Sequence, residues 1–143
     1  MDKFVMANAV FSKFSRNYME LKKGLPIRPS EMGVLNIITE TPGPHTSVLL
    51  AELLGVSKPM ITAHLSVLIE KGYIVKQQSP EDKRVFYILP TEKALTLVES
   101  VKKETCQQLE QVVAALGEER FDLLVGLLKE ADQVLGKEQQ EDN

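Results

Sequence analysis

A short cluster of charged side chains, Asp82, Lys83 and Arg84, carries the most evident chemistry in this sequence. Adjacent cations bind anions, and arginine also donates several hydrogen bonds in a fixed planar geometry. Asp82 is acidic, so we expect it to orient Arg84, or another nearby basic side chain, through a charge-assisted hydrogen bond. The cluster therefore predicts recognition of an anionic partner.

A second set of polar residues follows Gly55, at the start of a predicted helix. Ser57 is a suitable N-cap, and Pro59 fits the first turn, where its missing N–H costs nothing. Ile61, Leu65 and Leu68 supply the apolar side of this helix, so the opposite side should be exposed. The candidate contact residues on or beside that exposed side are Ser57, Lys58, Pro59, Thr62, Ala63, His64 and Ser66. For His64, a surface position without function is an equally good interpretation.

Periodicity and breaker residues predict the elements that position these two sets. Apolar residues at helical spacing indicate helices, a β-branched and aromatic pair of segments indicates a hairpin, and Gly or Pro separates them. The predicted helices span 3–23, 30–41 (with Ser30 as N-cap), 47–54, 58–71, 92–116 and 118–136, and the predicted strands span 73–76 and 85–89. The charged segment 137–143 is expected to fray.

The spacing of three residues indicates that helices 47–54 and 58–71 form a helix-turn-helix. Ala51 is small where the helices would cross, Gly55 permits the sharp turn, and Ile61 would fill the core between them. The exposed face of the second helix can then lie against base edges in the major groove. The basic hairpin tip beside it forms a wing, whose Arg84 can enter the adjacent minor groove. A solvated helix face and an exposed charged turn are the plainer interpretations of these two features.

These stretches together resemble the MarR family of winged helix-turn-helix transcriptional regulators, over roughly residues 4–136. The helical part of the resemblance lies in 50–57 (Leu-Ala-Glu-Leu-Leu-Gly-Val-Ser), 60–62 (Met-Ile-Thr) and 68–74 (Leu-Ile-Glu-Lys-Gly-Tyr-Ile). The wing resembles the family in 79–84 (Ser-Pro-Glu-Asp-Lys-Arg), including an Asp-x-Arg signature. Ala63 departs from the family pattern, which often has arginine after the threonine.

The resemblance implies a homodimer that binds a pseudo-palindromic operator in double-stranded DNA, with a small-molecule or oxidant signal as a frequent regulator. The sequence has no Gly-rich phosphate loop, no nucleophile elbow and no carboxylate pair with convincing placement, so we expect no enzymatic activity and no cofactor. We expect a repressor. The predicted fold is mainly α with a small β-hairpin wing, in one domain over 1–143. A winged module at about 30–90 would carry the DNA site, and helices at about 3–23 and 92–136 would form the dimer.

Charge and apolar patterning agree with this organisation. The net charge of −3 combines +4 over 1–30, −3 over 31–55, +2 over 56–90 and −6 over 91–143, so the acidic part is distant from the predicted DNA site. The apolar stripes of the terminal helices exceed what the small module can cover, which favours a two-fold dimer over a monomeric bundle. One cysteine, no membrane-spanning segment and no signal-peptide pattern predict a cytoplasmic protein without membrane partners.

The remaining candidates are weaker. An effector pocket is predicted where the winged module meets the dimer helices, although its side chains are more often core residues: Phe11, Phe14, Tyr18, Ile37 and Ile38. His45 is expected in a loop, and two histidines without ligand spacing predict no metal site. Cys106 is interpreted as a small semi-buried residue. Two alternatives remain open, namely a thiol-based redox sensor acting through Cys106 and a winged helix that binds protein.

Overall fold

The computed structural model describes residues 2–20 and 24–141, with side chains described as far as Gly136. Six helices and one two-stranded antiparallel sheet appear in those ranges, so the predicted mainly α fold with a hairpin is confirmed. In chain order the elements are α1 (Lys3–Glu20), α2 (Pro29–Glu40), α3 (Ser47–Leu54), α4 (Lys58–Glu70), β1 (Ile74–Gln78), β2 (Phe86–Pro90), α5 (Glu92–Leu116) and α6 (Glu118–Glu141). The predicted helical residues 21–23 lie outside the described part. The chain divides into two compact units, Met1–Val98 and Glu99–Asn143, and α5 runs from the first into the second.

A small hydrophobic core holds the winged module together. Leu35 of α2, Leu50 of α3, and Ile61 and Leu68 of α4 are fully buried, and the hairpin adds Ile74 and Ile88. Removing an aliphatic side chain of this size from water contributes roughly 1.5–3 kcal/mol. The three helices and the hairpin therefore form one folding unit that fixes the direction of α4.

Local capping sets the helix ends on either side of the turn. Leu49 N–H donates to the Thr46 side chain at 3.2 Å, and Met60 N–H donates to Ser57 Oγ at 3.2 Å. Gly55 has φ of +65°, a left-handed conformation that a side chain would strain. The predicted cap Ser57 and the predicted turn glycine are confirmed.

Three predicted boundaries are wrong. α2 begins at Pro29 with Arg28 as N-cap, because proline is preferred at the first helical position, and Ser30 is therefore inside the helix. β1 continues through Gln78, so the hairpin tip is shorter than the polar sequence suggested. α6 continues to Glu141 instead of fraying after 136, since the Lys-Glu-Gln segment contains good helix formers and no proline.

The hairpin pairs in register from Ile74 opposite Pro90 to Gln78 opposite Phe86. On its other side, β2 is joined to the loop before α3, where Ile88 N–H donates to the His45 carbonyl at 2.8 Å. His45 is a loop residue as predicted, but it is buried, and its Nε2 lies 2.9 Å from Thr41 Oγ1. Thr41 Oγ1 already donates to the Ile37 carbonyl at 2.6 Å, so the imidazole is the donor in that contact.

The terminal helices leave apolar side chains in solvent. No residue of α1 is buried, and Phe4, Phe11 and Phe14 are 70%, 65% and 51% exposed. In α6, Leu123, Val134 and Leu135 are each 60% exposed. No helix in the described ranges is long and apolar enough to cross a membrane alone. By length and composition α3 and α4 reach that threshold only as a pair, bent by 113° at the turn.

Candidate nucleic-acid interface

The turn between α3 and α4 is built as the spacing of small and bulky residues predicted. Val56 N–H donates to the Ala51 carbonyl at 3.0 Å, and Gly55 N–H donates to the Glu52 carbonyl at 3.2 Å. These bonds close α3 before α4 begins at Lys58. Ile61 then lies fully buried one turn into α4. The two helices therefore form a helix-turn-helix in which the side of α4 opposite Ile61 is turned outward.

Three residues form the exposed side of α4, which we call the recognition face: Pro59, Thr62 and Ser66. They recur at spacings of three and four and are all exposed. The Thr62 hydroxyl donates to the Lys58 carbonyl at 2.9 Å, so its oxygen remains an acceptor, and the residue as a whole is exposed. Such a face can accept a hydrogen bond from a base and contact a thymine methyl group.

The N-terminus of α4 carries one backbone donor suited to an anion. Pro59 has no N–H, and the Met60 N–H donates to the Ser57 side chain. Lys58 is therefore the residue of the first turn that offers an anion both a backbone N–H and a cationic side chain. Lys58 and Ser57 are both exposed. A helix N-terminus favours negative charge, so this corner of the module can bind a phosphate.

Ala63 and His64 do not belong fully to the recognition face. Ala63 is exposed at its edge, whereas His64 is half-buried, and both line a cavity on the flank of α4. His64 therefore stands apart from Thr62 and Ser66, and we do not assign it a DNA contact. The sequence pattern could not separate these positions, because the segment that covers the flank precedes α2.

The wing tip presents a paired arginine. Arg84 Nε donates to Asp82 Oδ1 and Arg84 Nη2 donates to Asp82 Oδ2, both at 3.2 Å, and Arg84 N–H donates to Oδ1 at 3.0 Å. These bonds, the side-chain ones first, hold the pKa of the Asp82 carboxyl below its ordinary value. The Arg84 side chain is nevertheless 90% exposed, so it is oriented and accessible at once. Lys83 beside it is also exposed.

Two residues that the sequence interpretation left as plain loop give the tip its shape. Ser79 is buried, and its Oγ accepts from Glu81 N–H at 3.3 Å and Asp82 N–H at 3.4 Å. Gln78 Nε2 donates to the Lys83 carbonyl at 2.8 Å. A serine before a Pro-x-Asp turn was the available signal, since serine side chains commonly accept from backbone two or three residues on.

The C-terminal end of α4 is fastened to the start of α5, which the sequence did not reveal. Lys93 Nζ donates to the Lys71 carbonyl at 2.6 Å and lies 4.5 Å from the centre of the Tyr73 ring. The Thr91 hydroxyl donates to the Gly72 carbonyl at 2.7 Å. These contacts bind the free carbonyls at the helix end, so α4 is held at both termini.

The residues predicted for an effector pocket do not come together in one chain. Phe11 and Phe14 are exposed, Phe14 stacks on Tyr18 with ring centres 6.1 Å apart, and Ile38 is buried in the module core. Ile37 is half-buried. A shared pocket would therefore require a surface that a single chain does not form.

The two remaining candidates from the sequence were Cys106 and a metal site. Cys106 is exposed, so its interpretation as semi-buried is wrong. Among residues 2–20 and 24–141, no three metal-binding side chains converge.

Comparisons with known proteins agree with this geometry. The MarR family model matches residues 24–85. A proposed transcriptional regulatory protein for the hcr operon of Thauera aromatica is 28% identical over 121 residues, which cover 85% of this chain and 70% of that protein. A MarR protein from Peptoclostridium difficile is 27% identical with a TM-score of 0.68, over 97% of this chain and 88% of that one.

Two DNA-bound structures share the fold. FabT of Streptococcus pneumoniae in complex with DNA has a TM-score of 0.82 at 22% identity, over 94% of this chain and 99% of that one. The transcriptional repressor CouR, bound to a 23-mer duplex, has a TM-score of 0.75 at 22% identity, over 92% of each chain.

The fold and the site define a winged helix-turn-helix protein with a basic wing. The match of residues 24–85 to the MarR family model, together with the relative and the solved structures above, supports a MarR-family winged-helix regulator. These findings support a DNA-binding transcriptional regulator, and the matched family and fold are those of transcriptional regulators.

Proposed function

We propose that this chain is a homodimeric repressor that binds a pseudo-palindromic operator. In the proposed complex the recognition face lies in the major groove of each half-site and Arg84 enters the adjacent minor groove. One observation carries the proposal, namely an arginine that is 90% exposed and held in a fork by Asp82 in the module that also exposes Thr62 and Ser66. Orienting a donor before binding reduces the entropy lost on complex formation.

The recognition face favours a sequence readout with few arginine contacts. Thr62 and Ser66 offer hydroxyl oxygens and a methyl group, and Ala63 offers only a methyl group. We therefore expect Arg84 to supply the strongest single contact, and Lys58 and Lys83 to bind phosphates without reading sequence.

The exposed apolar side chains of the terminal helices support the dimer. Phe4, Phe11 and Phe14 in α1 and Leu123, Leu127 and Val134 in α6 are all at least half exposed in the single chain. An exposed apolar stripe on a helix marks an interaction site, and a two-fold axis buries the same stripe on both copies. A two-fold protein matches a pseudo-palindromic operator by symmetry.

Repression is the simplest outcome of such binding. A dimer seated on two half-sites occupies a full turn or more of duplex and excludes other proteins from it. The transcriptional repressor CouR has a similar fold. A small-molecule effector that changes the dimer is the proposed control, with the aromatic side chains of α1 as one candidate surface.

The salt dependence of duplex binding tests the proposal. Fluorescence anisotropy with a labelled duplex between about 50 and 200 mM salt should give a log–log slope near −0.9 for each neutralised phosphate. Lys58→Ala should reduce that slope by roughly one phosphate, whereas Lys129→Ala, an exposed lysine on α6, should leave it unchanged. A flat salt response would contradict DNA binding and favour a protein partner.

A further inference from the structure

The tip of the hairpin is built around one buried polar side chain. Ser79 follows the last residue of β1 and is only 3% exposed, although Gln78 and Pro80 on either side of it are exposed. A proline restricts the residue before it to extended backbone conformations, so Pro80 limits the backbone of Ser79 as well. A hydroxyl that is buried inside the tip does not touch a DNA duplex, and it acts on the tip itself.

The Ser79 hydroxyl fixes the backbone of the turn. Its Oγ accepts from the Glu81 N–H at 3.3 Å and from the Asp82 N–H at 3.4 Å. The Ser79 N–H donates to the Val85 carbonyl at 2.8 Å, and the Val85 N–H donates to the Asp82 carbonyl at 3.0 Å. The backbone of Asp82 is therefore held on one side by Ser79 and on the other by Val85, which Ser79 also contacts.

The position of Asp82 determines where Arg84 is held. The Asp82 carboxyl accepts from the Arg84 N–H, Nε and Nη2, although the two side chains are 41% and 90% exposed. An exposed ion pair contributes little by itself, because water screens the charges and both side chains lose conformational entropy. A backbone that is already fixed removes part of that entropy cost, so the orientation of Arg84 depends on how firmly Asp82 is held.

We propose that Ser79 is a positioning residue for operator recognition, which through Asp82 sets the direction in which Arg84 enters the minor groove. The selectivity of the wing then depends on a hydroxyl that does not touch DNA. The DNA part of this role rests on the proposed function, whereas the link from Ser79 to Arg84 belongs to the free chain. If Ser79 only stabilised the hairpin, its loss would lower the stability of the chain without changing which duplexes it selects.

Carbon-13 NMR of the Asp82 carboxyl, in the full chain without DNA, tests the link within the wing. In Ser79→Ala the pKa of Asp82 should move up toward its ordinary value of 3.8, since a looser turn makes the bonds from Arg84 less populated. Ser100→Ala removes an exposed hydroxyl on α5 and should leave this titration unchanged. An Asp82 titration that is the same in Ser79→Ala and in the original chain would overturn the proposal.

Anisotropy titrations test the link to DNA. The probes are a duplex carrying the pseudo-palindrome that the original chain enriches from a random library, and a shuffled duplex of equal length and composition. In Ser79→Ala the ratio of the two affinities should fall by roughly two- to tenfold, the range expected when one neutral hydrogen bond is lost. The affinity for the shuffled duplex should stay the same, and Ser100→Ala should change neither affinity.

A double-mutant cycle shows whether Ser79 acts through Arg84. In a chain that already carries Arg84→Ala, the further change Ser79→Ala should not lower the affinity ratio again, because the side chain that Ser79 positions is gone. A full additional loss in that background would contradict the positioning role, since it would show an effect of Ser79 that does not pass through Arg84.

Ser79→Thr and Ser79→Val form a matched pair that separates the hydroxyl from the space it fills. Both substitutions add bulk at the same buried position, but only threonine keeps an acceptor for the two backbone N–H groups. Ser79→Thr should retain the low pKa of Asp82 and the selectivity for the enriched duplex, and Ser79→Val should lose both. Equal selectivity of the two variants would overturn the proposal, with unfolding curves confirming that each variant is folded.

Failure of the proposed function can be distinguished from failure of the positioning role. If the original chain enriches no pseudo-palindrome, the proposed function and the DNA part of the role are contradicted together, and the Asp82 titration still decides whether Ser79 orients Arg84. If the original chain binds its operator but Ser79→Ala leaves the affinity ratio unchanged, the proposed function stands and the positioning role of Ser79 is contradicted.

Discussion

Asp82 holds Arg84 by three hydrogen bonds, of which two join the guanidinium to the two carboxyl oxygens at 3.2 Å each. The contact uses Nε and Nη2, so donors on Nη1 remain directed away from Asp82. Because the arginine stays 90% exposed, the carboxylate positions it without covering it. The Arg84 guanidinium is therefore already oriented in the unbound wing.

Replacement of Arg84 by alanine should weaken operator binding by roughly 1–3 kcal/mol, or about 5- to 150-fold, because it removes both a cation and oriented donors. Anisotropy titrations at one fixed salt concentration provide the measurement. Lys83→Ala is the matched control, since it removes the same charge one residue away and should weaken specific and non-specific duplexes alike. Equal effects of the two substitutions on the ratio of specific to non-specific binding would contradict a reading role for Arg84.

The Asp82 carboxyl should titrate below its ordinary pKa of 3.8 in the folded protein. Arg84 stabilises the charged form, so the contact is fully present above that ordinary value and is lost only as the pH falls through the lower folded pKa. The wing should therefore keep its geometry from pH 8 to about pH 5. Carbon-13 NMR of the carboxyl provides the measurement, and in Arg84→Ala the pKa should move up toward 3.8. An unchanged Asp82 titration in that variant would show that another group lowers the pKa.

Truncation of Ile61 to alanine should destabilise the chain by roughly 2–5 kcal/mol, because this fully buried side chain fills the space between α3 and α4. Equilibrium denaturation at a fixed protein concentration measures the change. Leu53→Ala, at a position that is 54% exposed on α3, should stay within about 0.5 kcal/mol of the original chain. Comparable losses at both positions would contradict the described core.

Phe11→Glu should convert the proposed dimer to a monomer, since it places a charge in the exposed apolar stripe of α1. Sedimentation velocity over a range of concentrations gives the readout. Ala9→Glu adds the same charge at an exposed position on the opposite side of α1 and should leave the dimer intact. If the Phe11 variant still sediments as a dimer, the α1 stripe is not the interface.

Features set by near neighbours were predictable from the sequence. The Ser57 side chain accepts from the Met60 N–H three residues on, and Gly55 adopts the left-handed conformation that the turn requires. Both features could therefore be predicted from the neighbouring residues. The first residue of α2 could not be predicted, because Pro29 and Ser30 are both common near the start of a helix. In the structure α2 begins at Pro29. The contact of Asp82 with Arg84 spans two residues, and its geometry in the structure is the one expected.

Features that depend on distant segments were not predictable. The flank position of His64 depends on the segment before α2, and Lys93 binds a carbonyl that is 22 residues away. The wing tip is shorter than its polar composition suggests because β1 pairs with β2 as far as Gln78 opposite Phe86, and the Gln78 side chain then donates to the Lys83 carbonyl. Burial of Glu31 likewise emerges only when α2 packs against α4.

Selection of bound duplexes from a random DNA library, at near-physiological salt, tests the central claim most directly. A two-fold reader with one recognition face and one wing per chain predicts an enriched pseudo-palindrome whose half-site centres lie about 10 base pairs, or a multiple of that, apart. The enriched sequence should be lost when the selection is repeated with Arg84→Ala. Recovery of unenriched sequence, with only weak salt-sensitive retention, would contradict operator recognition by this chain.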